Sequence, residues 1–194
     1  MSQSPSPPSE ISLLLARWGS GDREAMDRLF SVVYDELRRR ARGQLRGGRR
    51  SPTLNTTALV HETFLKLVDR KQAAWADRNH FFAVASTAMR HIVVDHARKR
   101  MTGKRGEGLK PEVLDEASIA VDDRAEELLA LDAALERLKT MDERSARVVE
   151  LKFFGGLTFE DAAQVLDLSP RTVKREWRKA RAFLYEALTA GAGA

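Results

Sequence analysis

The segment GGLTFEDAAQVLDLSPRTVKREWRKARAFL, residues 155–184, constrains the fold more than any other stretch of the chain. A short helix from Phe159 to Leu166 carries Ala162 and Ala163, small enough for a second helix to approach closely. A tight turn follows at Asp167 and Leu168. Ser169 then caps a new helix that has Pro170 at its first position. This is a helix-turn-helix layout, whose second helix is offered to the DNA major groove. Arg171, Lys174, Arg175, Arg178 and Lys179 crowd that helix, while Val173 and Trp177, four apart, are expected to face inward. An ordinary helical hairpin with a solvated basic face is the plainer reading. Small-residue packing, a Ser-Pro cap and a basic helix in one segment favour DNA binding.

The rest of the chain must be compatible with that element, and its periodicity is helical throughout. Ser9 caps a first helix with Ile11, Leu14, Leu15 and Trp18 on one face, ended by Gly19 and Gly21. Asp22 caps a longer one with a stripe of Met26, Leu29, Phe30, Val33 and Leu37, which runs into the arginine-rich LRRRARGQLRGGRR. A third helix is expected over about 56–69. A fourth, over about 78–101, has Phe81, Val84, Ala85, Ala88, Ile92 and Val93 inward. Residues 102–122 contain Gly and Pro and turn acidic, which reads as a linker. Helices near 123–139, 142–154, 158–166 and 170–189 follow. No strand alternation and no internal repeat appears. The expectation is an all-α chain of two small helical domains on a flexible linker, with tails at 1–9 and 190–194.

Charge and composition narrow the function. The 194 residues hold 33 Lys and Arg against 28 Asp and Glu, a formal +5 that favours a polyanionic partner. There is no cysteine, so disulfides, thiolate zinc sites and cysteine nucleophiles are excluded. The N-terminus MSQSPSPPSE does not read as a signal peptide, and no apolar run approaches about 18 residues, so a cytoplasmic chain without a membrane partner is expected. A second basic concentration, MRHIVVDHARKR, places Arg90, His91, Arg98, Lys99 and Arg100 on the fourth helix, after the aromatic WADRNHFF. Such a mixture suits unpaired bases and phosphates, or a solvated helix over core phenylalanines. The Arg38–Arg50 run reads equally as a phosphate contact or an exposed charged loop. His61-Glu62 would need a second His at position 65, where Leu65 stands, so the zinc-protease pattern fails. No catalytic residue, metal or cofactor is expected.

The two halves together resemble a bacterial RNA polymerase sigma factor of the extracytoplasmic-function (ECF) group, over about residues 10–101 and 125–189. ALVHETFLKLVD resembles the family's region 2.2, FFAVASTAMRHIVVDHARKR its regions 2.3 and 2.4, and LERLKTMDERSARVVELKFFGGLTFEDAAQVLDLSPRTVKREWRKARAFL its region 4. The resemblance implies a sigma-two domain over 10–101, which grips the clamp of core RNA polymerase and melts the minus-ten promoter element. It implies a sigma-four domain over 123–189, which meets the flap and reads the minus-thirty-five element. It assigns promoter reading to Pro170, Arg171, Thr172, Lys174, Arg175 and Arg178 in the second half. In the first half it assigns Asn79 and His80, from the loop ADRNH, with His91, Asp95 and Arg98. It assigns polymerase contacts to Leu59, Glu62, Leu65 and Lys66. The chain departs from the family's usual Trp-Leu pair and Asn, showing Val84-Ala85 and His91.

A larger departure precedes region 2.2. Where most relatives carry Asp-Ala-Glu-Asp, this chain has the uncharged Asn55-Thr56-Thr57-Ala58. Charge-assisted contacts are worth about 1.5–3 kcal/mol each, so losing two would weaken polymerase binding on the order of 10² or more. Asn55 or Thr56 could serve merely as a helix cap. Phosphorylation at Thr57, with Thr56 and Thr53 next, would supply about −1.5 to −2 charges in their place. The resemblance is to ECF chains that are linked to Ser/Thr kinases. A separate anti-sigma partner stays open at this stage. The alternative is a stand-alone helix-turn-helix regulator, but residues 10–101 lack the effector or dimerisation pattern it would need.

Overall fold

A computed structural model describes residues 9–45, 53–68, 77–103 and 125–191. The helices are α1 (Glu10–Gly19), α2 (Arg23–Leu45), α3 (Thr53–Val68), α4 (Arg78–Gly103), α5 (Ala125–Met141), α6 (Glu143–Val149), α7 (Phe159–Leu166) and α8 (Pro170–Gly191), with a π-turn at Glu150–Phe154 after α6. No strand occurs among the described residues. The expected all-α architecture is the observed one.

Local chemistry sets most of the boundaries. The Ser9 hydroxyl accepts from the Ser12 amide at 3.2 Å, and Asp22 accepts from the Ala25 amide at 3.1 Å, so α1 and α2 each start on a side-chain cap. Between them Gly21 adopts φ +97°, which lets the chain reverse. α5 is rich in Ala, Leu and Glu, opens with Glu126 and Glu127 and closes with Lys139, in keeping with the helix dipole. The π-turn is closed by the Gly155 amide on the Glu150 carbonyl at 3.0 Å. Sequence periodicity carried this stretch as one continuous helix.

α3 starts at Thr53, earlier than expected, so Asn55 and Thr56 lie inside its first turns and do not cap it. The reason is packing. Thr56 is fully buried and continues the inward stripe of Leu59, Val60, Thr63, Phe64 and Leu67. The Thr63 hydroxyl is satisfied by the Leu59 carbonyl at 2.6 Å, which lets a polar residue sit on that face.

α4 is covered on both sides. Phe81, Phe82, Ala83, Ala85, Ser86, Met89, Arg90, Ile92, Val93, Val94 and Ala97 are all buried, too many for one apolar stripe, whereas Val84 and Ala88 are only half-buried. α3 packs against α4 from one direction, and α5, the π-turn and α7 from the other. The helices of the two expected halves meet along α4. Leu15, Leu29, Val33, Leu37, Phe81 and Ile92 belong to one continuous apolar core with Leu151, Leu157, Ala162, Ala163 and Val173. A second core lies among α5, α6 and α8, built on Leu135, Leu138, Val149, Phe154, Ala180 and Leu184. Burying such a side chain contributes about 1.5–3 kcal/mol. α4 extends to Gly103, into the expected linker, and the remainder of that linker, 104–122, lies outside the described residues, as do 1–8 and 192–194; of the expected tails, Ser9 caps α1, and Ala190 and Gly191 belong to α8.

Candidate nucleic-acid interface

The helix-turn-helix is held by short-range contacts that the sequence announces. Thr158 caps α7 in a reciprocal box: its hydroxyl accepts from the Asp161 amide at 3.0 Å, and Asp161 accepts from the Thr158 amide at 3.3 Å. Asp167 ends α7 in a left-handed conformation, φ 52°, which aspartate tolerates better than most residues. The Leu168 amide then returns to the Ala163 carbonyl at 2.9 Å. Ser169 accepts from the Thr172 amide at 3.1 Å and starts α8. Ala162, Ala163 and Val173 are buried and Trp177 is half-buried, which fixes the face that α8 turns inward.

The opposite face of α8 carries Arg171, Lys174, Arg175, Arg178 and Lys179, all exposed, after an exposed Pro170. Thr172 differs from its neighbours. It is half-buried and its hydroxyl lies 2.9 Å from that of Ser169, so it serves the cap. A shallow hollow of about 480 Å³ is lined by Phe159, Arg171, Lys174, Trp177 and Arg178. Sequence inspection missed Glu176, which is buried beneath this basic face. It accepts from Arg175 and Lys179 at 3.0 Å and from the Ser145 hydroxyl at 3.2 Å. Burial would push its carboxyl up, but the hydrogen bonds from Lys179, Arg175 and Ser145 outweigh it and hold the pKa below the usual range. The only sequence signal was a lone Glu three residues before Lys179.

α4 distributes its candidate residues between its two ends. Asp77 caps it through the His80 amide at 2.8 Å, so Asn79 and His80 stand in the first turn. The part of the ADRNH loop before Asp77 lies outside the described residues. His91, Asp95 and Arg98 share an exposed face about 17 Å further along, at 1.5 Å per residue. Asp95 lies 3.7 Å from Arg98 and 4.0 Å from Lys66 of α3. Arg90, expected on the basic face, is instead buried and turned to the other half of the molecule, where it meets Asp132, Glu136 and Glu150. Lys99 is exposed. In the arginine run of α2, Arg40 is likewise turned in, over the Phe82 ring and onto Glu36, and burial lowers its pKa.

α3 brings together three of the four candidate polymerase contacts. Leu65 is 64% exposed, Lys66 is exposed, and Glu62 is paired with His96 at 3.1 Å. Leu59 is a correction: it is buried in the core, because it falls on the Thr56–Leu67 stripe, and it is closed to a partner. The first turn of α3 contains no acidic residue. Thr57 is half-buried, whereas Thr56 has no exposed surface at all. Thr56 is therefore closed to a modifying enzyme while α3 is formed.

Among the described residues no helix is long and apolar enough to cross a membrane. A family model described as ECF sigma factor matches residues 8–190, which takes in both helical halves and the segment between them. No curated protein matches the chain.

Proposed function

From the premise that the chain belongs to the ECF sigma factor family, we propose that this transcription initiation factor binds core RNA polymerase in the cytoplasm and reads its promoter with two separate surfaces. The observation that carries this reading is the outward face of α8, where five exposed cations follow a capped N-terminus on a helix-turn-helix. Arg171, Lys174, Arg175 and Arg178 would enter the major groove of the minus-thirty-five element, with Pro170 at the point of entry. Thr172 acts through the cap it shares with Ser169.

On α4, His91, Asp95 and Arg98 form the surface for the minus-ten element, and Asn79 and His80 stand where an extruded base would be held. Extruding a base costs a few kcal/mol of unstacking, which such contacts must offset. Glu62, Leu65 and Lys66 of α3 face the polymerase. The chain itself carries out no reaction in this scheme.

Polymerase binding is under the control of Thr57. The start of α3 lacks carboxylates, Thr57 is partly exposed whereas Thr56 is buried (the Thr53 side chain lies outside the described residues), and a phosphate near a helix N-terminus is favoured by the helix dipole. A Ser/Thr kinase thus supplies the charge that the sequence omits. The test is the affinity for core RNA polymerase of three forms: unmodified, phosphorylated at Thr57, and Thr57→Ala treated with kinase. Phosphorylation is expected to tighten binding on the order of 10²-fold, with no gain in the Ala variant. Equal, tight binding of all three forms would retain the initiation factor and reduce the threonines to a structural role. Promoter binding without any polymerase binding would instead indicate a stand-alone regulator.

A further inference from the structure

A hollow of about 560 Å³ opens beside the C-terminal half of α2 and the turn that leads into α7. Small-molecule sites span about 300–1,000 Å³. Four cations line it: Arg39 and Arg40 of α2, Arg78 at the start of α4, and Lys152 of the π-turn. Two carboxylates, Glu36 and Asp161, stand against those four, so the lining is short of negative charge.

Among the described residues nothing makes up the deficit. Both oxygens of Glu36 accept from Arg78, at 2.7 Å each, and Arg40 shares the same carboxylate. Asp161 accepts from the Thr158 amide in the α7 cap. Arg39 is exposed and has no ion pair among the described residues. Lys152 donates to the Leu157 carbonyl at 2.5 Å and lies 4.2 Å from the Phe159 ring, but it too has no ion pair there. Arg40 keeps a buried Nε that finds no hydrogen-bond partner among the described residues. Burial lowers the pKa of both Arg40 and Lys152, so the neighbouring carboxylates do not fully compensate either charge. Aromatic walls complete the hollow, from Trp177 of α8 and from Phe153, which is 38% exposed.

Guanidinium and ammonium groups bind phosphate oxygens, and an aromatic face stacks on a planar ring. We propose that this hollow binds a nucleoside polyphosphate, with its phosphates held by Arg39, Arg78 and Lys152 and its base against Trp177. None of these four residues belongs to the surfaces assigned above to promoter or polymerase. The site therefore stands or falls apart from that assignment.

Calorimetric titration of the full chain with ADP tests the proposal, with pyrophosphate and adenosine as the two parts of the ligand. ADP should bind saturably at one site, pyrophosphate more weakly, and adenosine most weakly. Stacking should quench tryptophan fluorescence with ADP and not with pyrophosphate, and Trp177→Phe should remove that quench. Arg39→Gln and Lys152→Gln should each weaken ADP binding about tenfold, the loss of one charge-assisted contact. Arg39→Gln breaks no ion pair among the described residues, so its effect is not a loss of fold. Lys139→Gln removes an exposed charge on α5 and should change the affinity by less than about twofold. Absence of saturable ADP binding would overturn the proposal. So would a loss in Lys139→Gln equal to that in Arg39→Gln, or equal affinity for ADP and pyrophosphate.

Discussion

Glu176 shows how one buried residue organises the basic surface of α8. It lies under α8 and draws Arg175, Lys179 and Ser145 of α6 to a single carboxylate, so it ties the basic helix to its support. Its depressed pKa has a definite consequence for stability. The contribution is fully present above the unfolded carboxyl value, about 4.3, and is lost as pH falls through the lower folded value. Asp142 adds to the same acid limb, held low by the Ser145 amide and hydroxyl. Glu176→Gln should cost about 1–2 kcal/mol at pH 7 and lose less than the wild type between pH 5 and pH 3, as read by denaturant unfolding at both ends. Residues of this kind were the hardest to see in the sequence. An apolar count passes over Thr56 and Thr63, although they complete the buried stripe of α3. A count of cations passes over the one anion that anchors them.

The elements best anticipated were those fixed by neighbours in sequence. Ser169-Pro170, Asp167 at the turn and the Ala162-Ala163 pair placed α7 and α8 within a residue or two, because caps and close packing there are local. α4 was anticipated in extent but not in environment. Its second covered side is supplied by α5 and the π-turn, about 30 to 70 residues later, and periodicity holds no information about such a partner. That is why Arg90 read as a basic-face residue and proved to be a buried one. The exposed face of α8 makes its own prediction. Arg171→Ala and Arg178→Ala should each weaken promoter binding by the full chain with polymerase. A residue that contacts only phosphate lowers the slope of log K against log salt by about 1, and one that reads a base costs about 1–3 kcal/mol and relaxes sequence preference at one position. A salt titration on matched and mismatched promoters separates the two. Unchanged binding in both variants would remove α8 from the interface.

At the scale of the molecule, two helical units share one apolar core and a charged seam, while the surfaces assigned to promoter contact lie on different units. In the proposed function, one chain must both hold a polymerase and reach two DNA elements. The most direct test of the account is run-off transcription by core RNA polymerase on a library of genomic fragments, with and without the protein. The kinase-treated form should create new start sites, preceded by two shared elements about 25 base pairs apart. Those starts should disappear when Arg171 and Arg178 are both replaced by Ala. Sequence-specific retention of fragments by the protein alone, with no protein-dependent start sites, would contradict the account.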